Sequence, residues 1–588
     1  MQYSELAEVY SKLEKTTKRL EKTHIIAELI KKTSPETIQE ILLLLEGKVF
    51  PSYDERKIGV ASKLILKAIS LASGLSLREV EERWKKTGDL GTAALEIFQK
   101  KRQHTLGKCE LSVKKVFSNI KKLAELEGEG SVEQKIKLIA ELLTSSKPEE
   151  ARYIVRTILE DLRVGIGESA IRDAIVWAFF SKELGISYDE GKKELIIPEG
   201  RRDEYNRYIN LLQEAYDITN DYGEIANKIK TKGTKAIEEA ELKPGRPVQV
   251  MLFKKAKDIN DAFDIVGKPA AFEYKYDGFR VQIHKDEKKI ALFTRRLENV
   301  TEQFPDIIEY VKKYVRGESF ILDSEAVGLK PKTNQYLPFQ SISQRIRRKY
   351  NISEMARDFP VEVNVFDILY YNGKSTISMP FNERRALICR IIEPIERKIL
   401  PSRLIIAKTR EEAEKFYQEA LDRGNEGIMG KNLSAVYKPG SRVGYGVKIK
   451  PTMESLDLAI VAAEWGEGKR AKMLTSYTLA CRDGDKLLEV GKVSTGLKEL
   501  EEEGTSFKEM TDILKPLIIE EKGRTAVVKP KVVIEVKYEE IQKSPSYSSG
   551  YALRFPRFIR LRDDKSIKDI DTLKTIQGLF AGQKKRKS

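Results

Sequence analysis

Near residue 240 the apolar residues of this chain change period. They recur at helical spacing from the amino terminus to about Ala240 and at strand spacing from about Val250 onward. A helical stripe repeats every 3.6 residues and a half-buried strand every two, so the two halves differ in secondary structure. A chain of 588 residues divides into about three or four domains.

In the first half, Leu6, Val9, Tyr10 and Leu13 share one face of a first helix. Ser34-Pro35 predicts an N-cap and a first-turn proline for a helix running through Ile41 and Leu44 to Gly47, and Ser76 with Glu79 predicts a capping box. In LEDLRVGIGESAIRDAI, Gly165 and Gly167 separate two helical patterns, as a plain interhelical turn or as a set of amides open to a phosphate. These signals define an all-helical domain over 1–232. Period lapses over 233–250, where KPGRPVQ carries Pro244, Gly245 and Pro247, and this segment is a linker. Over 251–452, VQIHKD, KIALFTR, SFILDSEAV and VEVNVFDILYY read as strands and NERRALICRII as a helix, an α+β domain. Over 453–588, DLAIVAAEW, SYTLACRD, KLLEVGKVS and VVIEVKYEEI surround a helical stretch from Phe507 to Glu521, the pattern of a small β-barrel of the oligonucleotide-binding (OB) type. The tail QKKRKS reads as a solvated basic end.

Composition narrows the partner class. The 106 Lys and Arg against 90 Asp and Glu give a formal net charge of +16, which favours a polyanion and above all nucleic acid. Cys109, Cys389 and Cys481 match no zinc spacing and supply no disulfide framework. No apolar run reaches the roughly 20 residues that span a bilayer, and MQYSELAEVY lacks a signal pattern. The expectation is a soluble cytoplasmic protein with no membrane partner. A 33% charged fraction rich in Lys and Glu fits a thermophile.

The chemistry centres on AFEYKYDGFR. Alternation of Phe272, Tyr274 and Tyr276 with polar residues predicts a strand, and Asp277-Gly278 a turn, so Lys275 falls at a strand end. A lysine amine with an ordinary pKa of about 10.4 is protonated at neutral pH and cannot attack phosphorus, so such a site calls for neighbouring positive charge. Five further stretches follow in order: TRRLENVT with Arg295, FILDSEAV with Glu325, VEVNVFDIL with Phe366, NEGIMGK with Glu426, and SRVGYGVKIK with Arg442, Lys448 and Lys450.

The ordered set KYDGFR, TRR, LDSE, FDIL, EGIMGK and VKIK, followed by ALRFPRFIRLRDDK, resembles the covalent nucleotidyltransferase superfamily and, within it, the archaeal-type ATP-dependent DNA ligases. The resemblance covers essentially the whole chain. It implies a DNA-binding role for the helical domain, a nucleotidyltransferase domain and an OB-fold domain, in an enzyme that seals nicks in duplex DNA during replication, repair and recombination. It further implies Lys275 as the nucleophile toward ATP and Glu325 and Glu426 as ligands of Mg²⁺, or of Mn²⁺ in its place. Phe366 would stack on adenine with Met429 opposite, and Glu273 would read the base. Arg280 and Arg295 would contact ribose and phosphate, and Arg442 and Lys448 the phosphates. Arg554, Arg557, Arg560 and Arg562, read as one extended alternating stretch, would meet the β- and γ-phosphates. The expected assembly is a monomer on nicked DNA; KKRQHTLG offers Gln103 and Leu106 to a sliding clamp but lacks the usual paired aromatics, and reads equally as an exposed basic loop. One departure from the family pattern is Gly446, where a bulky aromatic is usual.

Competing classes fit less well. The long helical domain and the FPRFIRLRDDK ending argue against RNA end joining and mRNA capping, and the cysteines cannot build the four-cysteine zinc site of an NAD-dependent ligase. A non-catalytic nucleic-acid binder would leave Lys275, Glu325, Glu426, Lys448 and Lys450 unexplained. A P-loop at Asn372–Thr376 fails because Ile368 stands where the leading glycine belongs.

Overall fold

The computed structural model of the chain describes residues 1–54, 56–100, 110–128, 130–331, 333, 335–337, 339–346, 350–440, 442–451, 455–466, 470, 473–499 and 504–585. Gln103 and Leu106 lie outside them, as does the side chain of Arg442. These residues form two compact units, the first of Met1–Lys254, Gly278–Ser402 and Leu433–Tyr445, the second of Lys255–Asp277, Arg403–Asn432 and Gly446–Ser588.

The first unit begins with helices from Tyr3–Lys15 to Tyr222–Lys232 around one apolar core. Tyr3–Lys15 buries Leu6, Tyr10 and Leu13 as its spacing predicts, with Val9 at the margin. At Ser76 the capping box is present: the hydroxyl accepts from the Glu79 amide and the Glu79 carboxylate accepts from the Ser76 amide at 2.8 Å. Pro35 opens the Pro35–Leu45 helix, although Ser34 makes no side-chain cap. One element departs from the helical reading. Ser187–Asp189 and Glu194–Ile196 pair as an antiparallel hairpin, whose Asp189 accepts from the Gly191 and Lys192 amides and so fixes its turn.

A seven-stranded sheet completes this unit, its main path running Lys374–Ser375, Val361–Tyr371, Ser319–Leu329, Phe279–Asp286 and Lys289–Thr294, with Ile399–Pro401 pairing to the second of these and Tyr336–Leu337 to the third. Phe279, Val281 and Ile283 send their side chains into its core, which leaves Arg280, Gln282 and His284 as a polar row on the opposite face. The segment 245–251 is strapped across that row. Gln282 accepts from the Val248 amide at 2.9 Å and donates to the Val248 carbonyl at 2.6 Å. His284 Nδ1 accepts from the Gly245 amide at 3.1 Å, and Arg280 donates to the Met251 carbonyl at 2.8 Å. Burial drives the His284 imidazole down to a pKa of about 3, so it stays neutral and keeps this acceptor. A portion of the segment read as a linker is thus bound like a strand.

Asp217, on the Arg202–Thr219 helix, is buried beneath Gly440. A Cβ on Gly440 would stand 2.3 Å from its carboxyl carbon. Burial first, then the nearby Glu168 and Glu214, raise the Asp217 pKa to about 7 against the lowering effects of Gln213 and Arg172. A folded-state value above the unfolded one means that stability falls as pH rises from about 4 to 7 and stays reduced above. Asp217→Asn is therefore expected to stabilise the protein by on the order of 2–4 kcal/mol at pH 8 and by little at pH 4, a difference that calorimetry at the two pH values measures.

In the second unit, a sheet of Leu404–Ala407, Ala270–Lys275, Gly427–Asn432 and the 446–449 end of Arg442–Ile449 packs against helices Ile259–Val266 and Arg410–Asp422. Phe263 meets Phe272 edge-on at 5.3 Å, and Phe416 stacks on Tyr274 at 4.9 Å.

The carboxy-terminal region is strand-rich. Leu456–Trp465 pairs along one side with Leu474–Asp483 and on the other first with Val533–Lys537, then with Thr525–Val528, the pairing of a strongly curved strand. The Phe507–Glu521 helical reading is corrected. The helix ends at Leu514, Lys515–Leu517 is a 3₁₀ turn carrying Pro516, and Ile518–Lys522 forms a hairpin with Thr525–Val528 around Gly523. The single extended arginine stretch is also corrected, because Phe555 at φ +50° and Pro556 divide it into strands Tyr551–Arg554 and Arg557–Leu561. Helix Leu573–Lys585 runs into the basic tail. No helix among the described residues is long and apolar enough to cross a membrane.

Candidate active site

Register decides which side chains of the second unit's sheet share a face. Gly427 pairs with Lys275, Met429 with both Glu273 and Lys448, and Lys431 with Gly446. Since strand side chains alternate, Glu273, Lys275, Met429, Lys431 and Lys448 all lie on the face opposite Phe272, Tyr274, Ile428 and Val447. Apolar residues anchor one side of each strand and chemistry occupies the other.

Lys275 Nζ lies 2.6 Å from Glu426 Oε2, and Lys450 Nζ reaches the same oxygen at 2.6 Å. Burial alone would push the Glu426 carboxyl up, yet the two ammoniums outweigh it and bring its pKa down to about 2. Glu426 is therefore a hard anionic oxygen donor throughout the physiological range, which suits a divalent cation. The backbone holds this geometry, since the Glu426 amide donates to the Lys275 carbonyl at 2.8 Å. The next residue, Gly427, has φ +147°, and a Cβ there would stand 2.1 Å from the Ile449 carbonyl oxygen. Only glycine fits. On the same face Lys431 pairs with Glu273 at 2.5 Å, both buried.

In the first unit, Arg280 pairs across the sheet with Glu325. Its guanidinium binds Asp323 through Nε at 2.9 Å and Nη2 at 2.5 Å, and its carbon sits 5.2 Å from the Phe366 ring centroid. Phe366 is there because of a β-bulge. Asp323 faces Asp367 and Ser324 faces Val365, so Phe366 is the extra residue, and a bulge re-aims its side chain. A buried ion pair between Arg384 and Asp367 at 2.7 Å pins the strand just beyond. Arg295 is exposed in the turn after Lys289–Thr294.

The structure thus brings Lys275, Glu426, Glu273 and Lys448 onto one sheet and Arg280, Glu325 and Phe366 onto the other. No group of three or more His, Cys, Asp or Glu suited to a metal occurs within the described residues. Sequence reasoning missed three residues: Asp323, Lys431, and Tyr437, whose hydroxyl accepts from Arg280 and donates to Asp323. Asp323 was legible as the residue two before Glu325 on the same strand face, whereas Tyr437 and Lys431 carry no local signal that separates them from core and surface.

A strand-end lysine against a glutamate and a second lysine is an arrangement that fits a covalent nucleotidyltransferase. Residues 2–176 match the DNA ligase N terminus, 250–450 the ATP dependent DNA ligase domain, and 470–565 the ATP dependent DNA ligase C terminal region. The chain is 46% identical to the DNA ligase of Nanoarchaeum equitans over 99% of each chain, and 42% identical to that of Thermococcus fumicolans over all of both. It is 40% identical to the Archaeoglobus fulgidus DNA ligase over 99% of this chain and 98% of that one. The chain belongs to the ATP-dependent DNA ligase family, whose activity is nick sealing. Among solved structures, Pmar-Lig_PreS3 shares the fold at a TM-score of 0.53 and 16% identity, over 95% of this chain and 99% of its own.

Proposed function

We propose that Lys275 is the adenylylated residue of this ligase. Its Nζ attacks the α-phosphorus of ATP, the Nζ–P bond forms, the bond to the β-phosphate oxygen breaks and pyrophosphate leaves. AMP then passes to the 5′-phosphate of a nick, and the adjacent 3′-hydroxyl attacks that phosphate and releases AMP. The observation that carries this reading is the pairing of Lys275 at its strand end with Glu426, beside Lys448 and Lys450. Positive groups on that face stabilise charge that develops on the phosphoryl oxygens.

In the same reading Glu325 and Glu426 would each offer a carboxylate oxygen to Mg²⁺, or Mn²⁺, which would supply further charge stabilisation when bound. Phe366 and Met429 flank the adenine, Glu273 reads its edge, and Arg280, Arg295, Arg442 and Lys448 serve the ribose and phosphates. In the RFPRFIRLR segment, Arg554 pairs with Glu540, Arg560 with Glu535 and Arg562 with Asp457. Arg557 has no ion-pair partner among the described residues and is the cation we assign to the outer phosphates. The domains 1–232, 251–452 and 453–588, an OB fold for the last, a monomer on nicked DNA and a sliding clamp at Gln103 and Leu106 belong to the same proposal.

Glu426→Gln tests the site without changing its shape. Sealing of a nicked duplex is expected to fall at least about a hundredfold, the scale of a lost electrostatic contact in a transition state, while circular dichroism shows an unchanged fold. Normal sealing by this variant would remove Glu426 from the mechanism.

A further inference from the structure

The five N–H donors of Arg280 can be counted. Nε–H and one Nη2–H go to Asp323, the second Nη2–H goes to the Tyr437 hydroxyl at 3.2 Å, and one Nη1–H goes to the Met251 carbonyl at 2.8 Å. One Nη1–H remains. The Tyr437 hydroxyl in turn donates to Asp323 Oδ2 at 2.8 Å and accepts from the Met251 amide at 3.2 Å. Asp323 is fully buried and Tyr437 is 2% exposed. Phe366 lies against the guanidinium of this closed network.

We infer that Tyr437 is a positioning residue for the nucleotide, acting through Arg280, and the inference rests on the nucleotide reading of this site. A carboxylate gripping Nε and Nη2 fixes the guanidinium plane, and the Met251 carbonyl on Nη1 adds a third point of attachment. The Tyr437 hydroxyl adds a fourth on Nη2 and also binds the Asp323 carboxylate and the Met251 amide, so it locks in place the two acceptors that hold the cation. The cation is then set against the Phe366 ring, and its one remaining N–H has a single direction. Tyr437 takes no part in the transfer of AMP to Lys275.

The hydroxyl rather than the ring carries the effect. Tyr437 packs among Leu242, Val248, Met251, Ile321 and Leu369, and phenylalanine would fill that space equally well. Tyr437→Phe deletes three hydrogen bonds and leaves a guanidinium N–H, a backbone N–H and a carboxylate oxygen each short of one partner.

The test is single-turnover self-adenylylation of the full-length protein across an ATP series, in the wild type, Tyr437→Phe, Arg280→Lys and the double variant. Tyr437→Phe should raise the half-saturating ATP concentration about tenfold and leave the limiting rate within about threefold. Added to Arg280→Lys it should raise that concentration less than about twofold further, because the two residues act as one. An unchanged half-saturation, a loss confined to the limiting rate, full additivity with Arg280→Lys, or a Tyr437→Phe protein that does not fold would each overturn the inference. A wild-type protein that takes no label from ATP would instead overturn the nucleotide reading itself.

Discussion

Lys275→Ala is expected to abolish the acid-labile, protein-bound AMP that the wild type acquires from ATP and Mg²⁺. Two other lysines near that site are held elsewhere, and Lys448 pairs opposite Met429 within its strand and not at a turn. Lys431 is buried against Glu273, and Lys450 shares the Glu426 oxygen from beyond the end of its own strand. Lys275 alone sits at a strand end whose carbonyl is tied to the Glu426 backbone. The same variant should still close a nick supplied with AMP already on its 5′-phosphate, because the last step needs the 3′-hydroxyl and not the lysine. Labelled ATP with denaturing electrophoresis reads the first step, and a pre-adenylylated duplex reads the last. Label that persists in Lys275→Ala would refute the assignment of the nucleophile.

Removing residues before Gly233 should separate the two chemistries in the opposite sense. The groups we assign to adenylylation all lie beyond residue 250, and the strap from Gly245 to Met251 keeps its bonds to Gln282, His284 and Arg280. Nick binding should collapse if the helical domain supplies most of the phosphate contacts. For the intact protein, six or more such contacts imply an affinity that falls roughly 10³-fold between 50 and 200 mM salt. Self-adenylylation needs no duplex and should change far less over that range. Both quantities can be measured on the same truncated and intact proteins, and undiminished nick affinity after truncation would exclude the helical half as the main DNA-binding region.

Much of this was legible in the residues because the relevant signals are local. The change of period near 240 separates helices from sheets, the Ser76–Glu79 cap is present as read, and Lys275 ends its strand where Asp277-Gly278 forces the turn. Readings failed where a local pattern was overridden. Apolar spacing from Phe507 onward continues past Leu514, but Pro516 and the Gly523 turn convert its second half into a hairpin. The VQIHKD strand was legible, but nothing in its alternation shows that Gln282 and His284 are buried under the strap. Tyr437 lies more than a hundred residues from Asp323 and Arg280, and no spacing rule links a hydroxyl to a carboxylate over that distance.

Gly427 shows what such a site demands of the sequence. Its backbone lies in a region closed to L side chains, and the Ile449 carbonyl occupies the space that a Cβ would take. Any replacement must push adjacent strands apart beside Glu426, so the position carries the constraint of a reacting group while contributing no atom to the reaction. In a library of all single-codon changes, alleles at 427 would be purged as completely as those at Lys275. A survey of tolerated alleles alone would then count a glycine among the catalytic residues.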